Sequence, residues 1–508
     1  MLAWNHIISP TAFNEFRFGA TYHRNFFEAN VVGSSLLQQW GITGVPTTGV
    51  ATAPYFGVTG ITAWDPTSGS DTFNDNPDTT IEWIDNVTWT RGRHVIKFGG
   101  AAIRERYDGN GISDNVYGIY NFSGIYTGTG YADFLLGIPQ TTSLALPNPN
   151  RAIRGNVFGM YAQDQFRLSK SLTLSYGIRW ELPQPYTDIH GDIYTYDRAT
   201  GGLVVPDNGL TTLNAFFPKN IPVIAASKAG LPANSLVNMD WKVFEPRVGF
   251  AYKLFGSDKT VLRGGYGIYS NLIYSQLTSS MTGGPFSGSV NYNNVMTNGV
   301  PLLSFPSPFL PNGTTATQSV QGVNPNLKTP YTQQWNLTLE RRVGSLGLRA
   351  SYTGSTSINL LYQRNLNEPA PSTTPFSTAL YPNQLFSSIT YKDNGGTETY
   401  NSLELLAQKK AGKNLTFNAG FTWDKDLTDT QDSGGGGSTY VGQTIQNQFC
   451  RACERSNGEI VPPRRFFSYA VYALPVGKGQ SLLSNAHGPV QVLLGGWVTS
   501  WKVGLNSK

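Results

Sequence analysis

Residues 171–181, SLTLSYGIRWE, alternate strictly between two kinds of side chain. The even-numbered positions are apolar and carry Leu172, Leu174, Tyr176, Ile178 and Trp180. The odd-numbered positions are small, polar or charged and end in Arg179 and Glu181. Successive side chains of a β-strand point to opposite faces, so this period predicts a strand with one apolar face and one polar face. A membrane-spanning strand and a strand of a soluble sandwich can both show this pattern, so the stretch alone does not distinguish between them.

The same two-faced pattern recurs along the chain, mostly in pairs of segments joined by a few residues. A strand is predicted over 11–25 and a short helix over 131–137. The predicted pairs are 79–90 with 94–106, 152–167 with 171–181, 243–255 with 259–271, 331–342 with 346–355, 399–409 with 414–424, and 464–475 with 490–501. This repetition of two-faced segments predicts a large antiparallel sheet.

Long segments rich in Gly, Pro, Ser, Thr and Asn separate these pairs. They cover 31–78, 108–150, 183–240, 272–328 and 426–463. Outer-membrane barrels have short periplasmic turns and long extracellular loops, whereas a soluble sandwich has no reason to place every long connection at one end. The alternation of short and long connections therefore predicts an all-β protein, an antiparallel transmembrane β-barrel.

The composition agrees with a barrel and excludes other classes. Only 14% of the 508 residues are charged, compared with about 25% in soluble domains. No segment approaches the ~20 consecutive apolar residues that a spanning helix needs, so a helical membrane protein is excluded. The net charge of +5 comes from scattered basic residues, which gives no support for a nucleic-acid partner.

The N-terminus reads MLAWNHIISPTAFNEFRFGA and shows no basic region, apolar core or cleavage site of a signal peptide. A barrel protein must be exported. We therefore expect the chain to be a fragment of a longer precursor, with residues 1–508 forming a single β-barrel domain.

Several longer motifs follow one another in a specific order. They are HVIKFGG (94–100), YADFLLGIP (131–139), YAQDQFRLSKSLTLSYGIRWE (161–181), FEPRVGFAYKLFGSDKTVLRGGYGIYS (244–270), NLKTPYTQQWNLTLERRVG (326–344), YTGS (352–355), NLLYQRNLNEP (359–369), YNSLELLAQKK (400–410), LTFNAGFTWDKDLTD (415–429), LPVGKG (474–479) and LGGW (494–497). This ordered set resembles the barrel of the TonB-dependent outer-membrane receptors, specifically the Oar-like group that carries a carboxypeptidase-regulatory-like domain.

The resemblance implies a barrel of about 22 strands closed by a plug domain. It also implies that a bulky ligand is imported, or in this group exported, with energy passed on by TonB. Nothing in the sequence resembles the plug, the regulatory-like domain or the TonB box, and the chain ends GLNSK rather than in an aromatic residue. We count roughly thirteen to fifteen strands, so the chain is either part of the family's barrel or a smaller, porin-like ring.

The residues that could carry chemistry form no recognisable site. The five histidines are dispersed, and Cys450 and Cys453 form a CxxC without a second pair for zinc. These two cysteines either have no functional role in their loop or form a small disulfide. The glycines around Gly265 lack the spacing of a dinucleotide fingerprint, and Asp424, Asp426, Asp429 and Asp432 lack that of a calcium loop. We predict no catalytic residue, no cofactor and no metal, and hence no enzyme.

The alternation assigns side chains to the two faces of the predicted sheet. The predicted lumen-facing residues are Arg179, Glu181, Arg263, Glu340 and Arg349, since a charge facing lipid at mid-bilayer costs about 2–4 kcal/mol. The predicted lipid-facing residues are Leu172, Leu174, Tyr176, Ile178, Trp180, Leu415, Phe417, Phe421 and Trp423. Aromatic residues near strand ends are expected to form interfacial girdles, and these are Trp89, Trp180, Tyr269, Trp335, Trp423 and Trp501.

The sequence thus predicts the barrel of an outer-membrane receptor and transporter in a Gram-negative cell. Its expected partners are outer-membrane lipid, the TonB complex in the full-length protein, and a ligand of unknown class, with a carbohydrate, a siderophore and a peptide or protein left open. The long loops would select that ligand, because recognition residues concentrate on loops held by a rigid scaffold. Two alternatives stay open: a passive porin-like pore, and a structural or adhesive surface protein.

Overall fold

The computed structural model describes residues 1–28, 30–47, 51–64, 73–111, 116–146, 150–310, 313–315, 317–410, 415–430, 444–458 and 461–507. Its largest feature is a 17-stranded sheet, in which Thr187–Asp188, Gln318–Val323 and Ser456–Asn457 are short additions. The other fourteen strands form what we call the wall, numbered β1 to β14. They are Leu2–Ser9, Ala12–Phe27, Asn74–Arg91, His94–Gly111, Arg151–Arg167, Leu172–Pro183, Val243–Lys253, Thr260–Ser270, Tyr331–Val343, Leu346–Asn365, Phe386–Lys410, Leu415–Thr428, Arg464–Ala473 and Val498–Asn506.

Each wall strand pairs antiparallel with the next one along the chain. β1 and β14 are the two edges, and no pairing in the described ranges joins them. Their side chains are largely exposed: Leu2 at 63%, Ile7 at 74% and Leu505 at 61%. The wall therefore has the strand order of an outer-membrane barrel, and the ring is not closed in the structure. The prediction of an antiparallel barrel wall with thirteen to fifteen strands is confirmed.

Short and long connections alternate along the wall as predicted, with one exception. Short turns cover 10–11, 92–93, 168–171, 254–259 and 344–345, and the long connections all leave the opposite end. The exception is the link from β13 to β14, which covers 474–497 and contains the helix Gly488–Leu494. The predicted strand over 490–501 is therefore wrong in its first half. The run VQVLL lacks the alternation of a strand, and a proline in the first turn of the helix starts it favourably.

The wall strands are longer than the sequence pattern predicted. β10 runs to Asn365 and β11 begins at Phe386, although the predicted strands stopped at 355 and began at 399. The added parts are rich in Ser, Thr and Asn and show no clear alternation. They stay extended because they pair with each other, across register shifts near Leu360. The edge strand β1 was not predicted.

The long loops fold into small sheets and short helices. One sheet contains Tyr55–Val58, Ile119–Phe122, Thr141–Ala145 and Ser289–Asn293, a second contains Thr195–Asp197, Gly202–Val205 and Val223–Ala225, and a third contains Met296–Thr297 and Val300–Pro301. Their helices are Gly33–Gln39, Gly130–Leu135 and Tyr274–Ser279, and their 3-10 turns are Gly209–Thr211, Ala226–Ala229, Gly284–Phe286, Thr378–Leu380 and Arg451–Glu454. A further 3-10 turn, Leu254–Gly256, lies in the short turn at 254–259. The predicted helix at 131–137 is present. Among the described residues, no helix is both long and apolar enough to cross a bilayer.

The buried apolar residues of the molecule lie mainly in these loops. One cluster joins Ile193, Val204, Leu236, Leu277 and Leu327, which come from two different loops. A second joins Leu203 and Phe286 of the loops to Phe386, the first residue of β11, and a third packs aromatic rings around Tyr120 and Phe122. The loops are therefore packed against one another rather than solvated individually.

Candidate functional site

The pairing register places all five predicted lumen-facing residues on one face of the wall. Arg179 of β6 lies opposite Glu245 of β7, and Arg247 lies opposite Gly267 of β8, which fixes the face of Arg263. Arg263 in turn lies opposite Thr338 of β9, and Glu340 lies opposite Arg349 of β10. Because cross-strand partners share a face, these charged side chains project from the same side. We call this side the polar face.

Each predicted charge on the polar face has a partner of opposite sign. Arg179 pairs with Glu181 on its own strand, and Arg349 pairs with Glu404 of β11. The Arg263 Nε lies 3.5 Å from the Glu340 carboxylate. The side chains of Arg263 and Glu340 are 57% and 42% exposed, so solvent screens this pair and it contributes little stability.

Sequence reasoning missed further pairs on the same face. Glu245 binds Arg247 at 2.6 Å and also accepts hydrogen bonds from the backbone and hydroxyl of Ser270. Arg247 in turn lies over the ring of Tyr269, 4.4 Å from its centroid. The spacing of Glu245 and Arg247 matches that of Arg179 and Glu181, and this repeat was the signal that could have identified them. Tyr269 therefore lies on the polar face rather than in the expected girdle.

A groove of about 670 Å³ runs across the polar face from β4 to β10. Small residues form its floor, among them Ser175, Gly249 and Gly265, which lie in one cross-strand row. The amide side chains of Gln163, Gln334 and Asn336 border it together with the ion pairs. Hydrogen-bond donors and acceptors, both neutral and charged, therefore face this groove, and its surface suits a polar occupant.

The acidic group considered as a cation site has other partners. Asp424 accepts hydrogen bonds from the Tyr400 hydroxyl at 2.6 Å and from Arg465 at 2.9 Å. Asp429 binds Arg451 at 3.0 Å. Asp432 lies outside the described residues. The described part of the chain holds no group of three or more His, Cys, Asp or Glu placed to bind a metal ion.

The opposite, apolar face carries the predicted lipid-facing residues. Tyr176 and Ile178 of β6 are 46% and 50% exposed, and Trp423 of β12 is 58% exposed. Leu172, Leu174, Trp180, Leu415 and Phe417 are partly exposed, and Phe421 is exposed. One polar cluster near the turns was not predicted: Asp164 accepts hydrogen bonds from His94 at 2.6 Å and from the Tyr176 hydroxyl at 2.8 Å.

The loops expected to select the ligand contain buried ionisable groups. Burial raises the pKa of Tyr194 to about 12 and that of Tyr274 to about 12. Burial also raises the pKa of the Asp192 carboxyl, and a hydrogen bond from the Thr212 hydroxyl opposes that shift. The Tyr194 hydroxyl also accepts a hydrogen bond from the backbone N–H of Gln321, which joins two of the loops.

Cys450 and Cys453 are joined by a disulfide. It encloses Arg451, which lies 4.0 Å from the ring centroid of Tyr362 and so connects the loop to β10. Of the two possibilities that the sequence left for these cysteines, the structure therefore contains the small disulfide.

Comparison with known proteins supports a barrel of the outer membrane. A family model described as "Outer membrane beta barrel domain" matches residues 1–507. The outer membrane transporter YddB from Escherichia coli is similar with a TM-score of 0.51 and 11% identity, over 91% of this chain and 47% of that chain. No curated protein matches the chain by sequence.

Two further solved structures show weaker similarity. The copper transporter OprC has a TM-score of 0.44 and 11% identity, over 92% of this chain and 48% of that chain. The FrpB iron transporter from Neisseria meningitidis also has a TM-score of 0.44 and 11% identity, over 99% and 55%. The chain thus spans about half the length of the transporters it resembles. Because the family match includes the whole wall, the chain belongs to the outer membrane beta barrel domain family, whose location is the outer membrane.

Proposed function

We propose that this chain is the barrel portion of a TonB-dependent receptor of the Oar-like group, which moves a bulky ligand across the outer membrane. The observation that carries the proposal is the asymmetry of the wall. One end has short turns apart from the link 474–497, and the other carries long loops that take part in buried clusters. The loops thus provide a surface for recognition at one end of the wall, and the polar face of the wall has paired charges and a groove.

The five charged residues predicted to face the lumen take a defined role in this proposal. Arg179, Glu181, Arg263, Glu340 and Arg349 would line the passage or contact a plug, and the exposed apolar side chains around Tyr176 and Ile178 would contact lipid. The ligand class stays open among a siderophore, a carbohydrate and a peptide or protein. The similarity to an outer membrane transporter supports movement of a solute rather than catalysis.

An uptake experiment in cells tests the proposal. Fluorescent derivatives of a ferric siderophore, an oligosaccharide and a peptide are offered to cells that express the protein, with and without a protonophore. We expect one probe to enter the cells, and we expect its uptake to stop when the protonophore removes the energy that TonB transmits. Leu203→Ala, which loosens the loops, should lower uptake, whereas Leu210→Ala serves as a matched control because Leu210 is 39% exposed.

Two outcomes would overturn the proposal in different directions. Uptake that continues at the same rate with the protonophore would indicate a passive pore. Retention of a probe on the cell surface without entry of any of the three would indicate an adhesive protein.

A further inference from the structure

A cleft of about 450 Å³ lies on the apolar face of the wall, across β9 to β13. Alanines at positions 350, 407 and 419 form its bottom, and larger side chains such as Leu339, Leu405 and Phe421 border it. The register explains the shape, since Leu348 lies opposite Ala407, which itself lies opposite Ala419. A row of small residues between larger apolar ones leaves a channel wide enough for a hydrocarbon chain.

One end of this cleft is cationic. Arg341 lies three residues before the turn at 344–345 and opposite Leu348, so it belongs to the apolar face and lines the cleft. Arg341 is exposed, and none of the described carboxylates forms an ion pair with it, whereas Arg263 and Arg349 both have such partners. No acidic residue is among the described residues that line the cleft.

The surrounding turns reinforce this positive charge. Lys259 and Lys409 lie at the same end of the wall, and the only acidic residue of the neighbouring turn at 254–259, Asp258, is held by Lys253 at 2.6 Å. Short turns mark the periplasmic side of an outer-membrane barrel. The leaflet at this end is built of phospholipids, whose phosphates lie at the depth where strands leave the hydrocarbon.

We propose that this cleft is a binding site for one anionic phospholipid, with an acyl chain between the leucines and its phosphate on Arg341. An apolar channel that ends in an unpaired cation fits a molecule with the complementary arrangement of hydrocarbon and anion. A free phosphate would leave the channel empty, and a neutral hydrocarbon would leave Arg341 without an anion. The site is separate from the polar face and does not depend on which ligand is transported.

Native mass spectrometry of the full chain tests the site. The protein is released from vesicles that contain phosphatidylglycerol and phosphatidylcholine in equal amounts and with identical chains. We expect the protein to retain phosphatidylglycerol about fivefold more than phosphatidylcholine, which is the preference that one cation near a membrane surface provides. Arg341→Gln should abolish this preference.

Two variants separate the site from general effects of charge and folding. Arg342→Gln removes the same charge from the next residue, whose side chain belongs to the polar face because Arg342 lies opposite Gly347, and retention should not change. Ala407→Leu fills the cleft without burying a polar group, and it should lower retention of both lipids. Equal losses in Arg341→Gln and Arg342→Gln, or displacement of the lipid by soluble glycerol phosphate, would overturn the proposal.

Discussion

At the scale of single residues, Asp424 is the acidic group most fully enclosed by the wall. Its side chain is 1% exposed and receives hydrogen bonds from Tyr400 and Arg465. Asp424→Ala removes both bonds and leaves two donors without an acceptor, so we expect the wall to lose about 1–3 kcal/mol of stability. The measurement is urea unfolding followed by tryptophan fluorescence. Asp424→Asn, which keeps an acceptor for Tyr400, should lose less, and an equal loss in both variants would contradict this explanation.

Asp192 provides a test of pH dependence in the loops. It is buried, and burial raises the pKa of its carboxyl above the ordinary value of 3.8. In the unfolded chain the carboxyl releases its proton at a lower pH than in the folded loop. The folded loop is therefore stabilised relative to the unfolded chain when this group is protonated, and that advantage disappears as the pH rises through the raised pKa.

Asp192→Asn should consequently stabilise the loops at neutral pH, because it removes a buried charge and keeps an acceptor for Thr212. The difference between variant and parent should vanish below the carboxyl's unfolded pKa. Proteolysis rates measured over a pH series, with a protease active throughout, give the comparison. A variant that is less resistant than the parent at neutral pH would show that the charge itself holds the loop.

The sequence could predict the faces of individual residues but not their partners. Alternation alone places Arg179, Glu181 and Arg349 on the polar side of their strands, because the period of a strand is fixed. The pairing of Arg349 with Glu404 depends on the register between two strands separated by a long loop. No local pattern contains that register. The same reasoning applies to Asp424 and Arg465.

At the scale of elements, β6 shows what the sequence predicts well. The structure gives Leu172–Pro183, and the prediction was 171–181. The agreement holds because both faces of this strand restrict the side chains they carry: one face is apolar and the other is small, polar or charged. Beyond 355, β10 packs against a loop cluster through Leu361, and there the alternation is lost.

β6 also allows a matched test of the two faces. Ile178→Arg places a charge on the apolar face, where we expect a cost of about 2–4 kcal/mol if the position lies near the middle of the bilayer. Ser175→Arg places the same side chain on the opposite face of the same strand, where water or polar groups receive it. The folded fraction in phosphatidylcholine vesicles, read from electrophoretic mobility without heating, should fall in the first variant alone. Equal insertion of both variants would contradict the assignment of faces.

At the scale of the whole molecule, the apolar side chains serve two separate purposes. Those of the wall lie on its apolar face and stay exposed, as Ile178 and Trp423 do. Those of the loops point inward and are buried, as Leu203 and Leu236 are. The sequence reveals the first set through its period of two. The sequence does not reveal the buried set in the loops, because the loop clusters join residues that are far apart in the chain. These segments were therefore expected to be simple loops.

This division predicts that the loops can be loosened while the wall remains inserted. Leu203 lies in Gly202–Val205, is 0% exposed and packs in a cluster with Phe286 and Phe386. Leu203→Ala should cost the loops about 2–5 kcal/mol, because it leaves a cavity in a packed cluster. Trypsin should then cut the loop over 184–242 faster, whereas the unheated electrophoretic mobility of the wall should not change. Leu210→Ala, in the same loop at 39% exposure, should have little effect on either measurement. Loss of the folded wall in Leu203→Ala would instead show that loops and wall fold as one cooperative unit. Trypsin cleavage and unheated mobility together therefore distinguish a wall with independently packed loops from a protein with a single core.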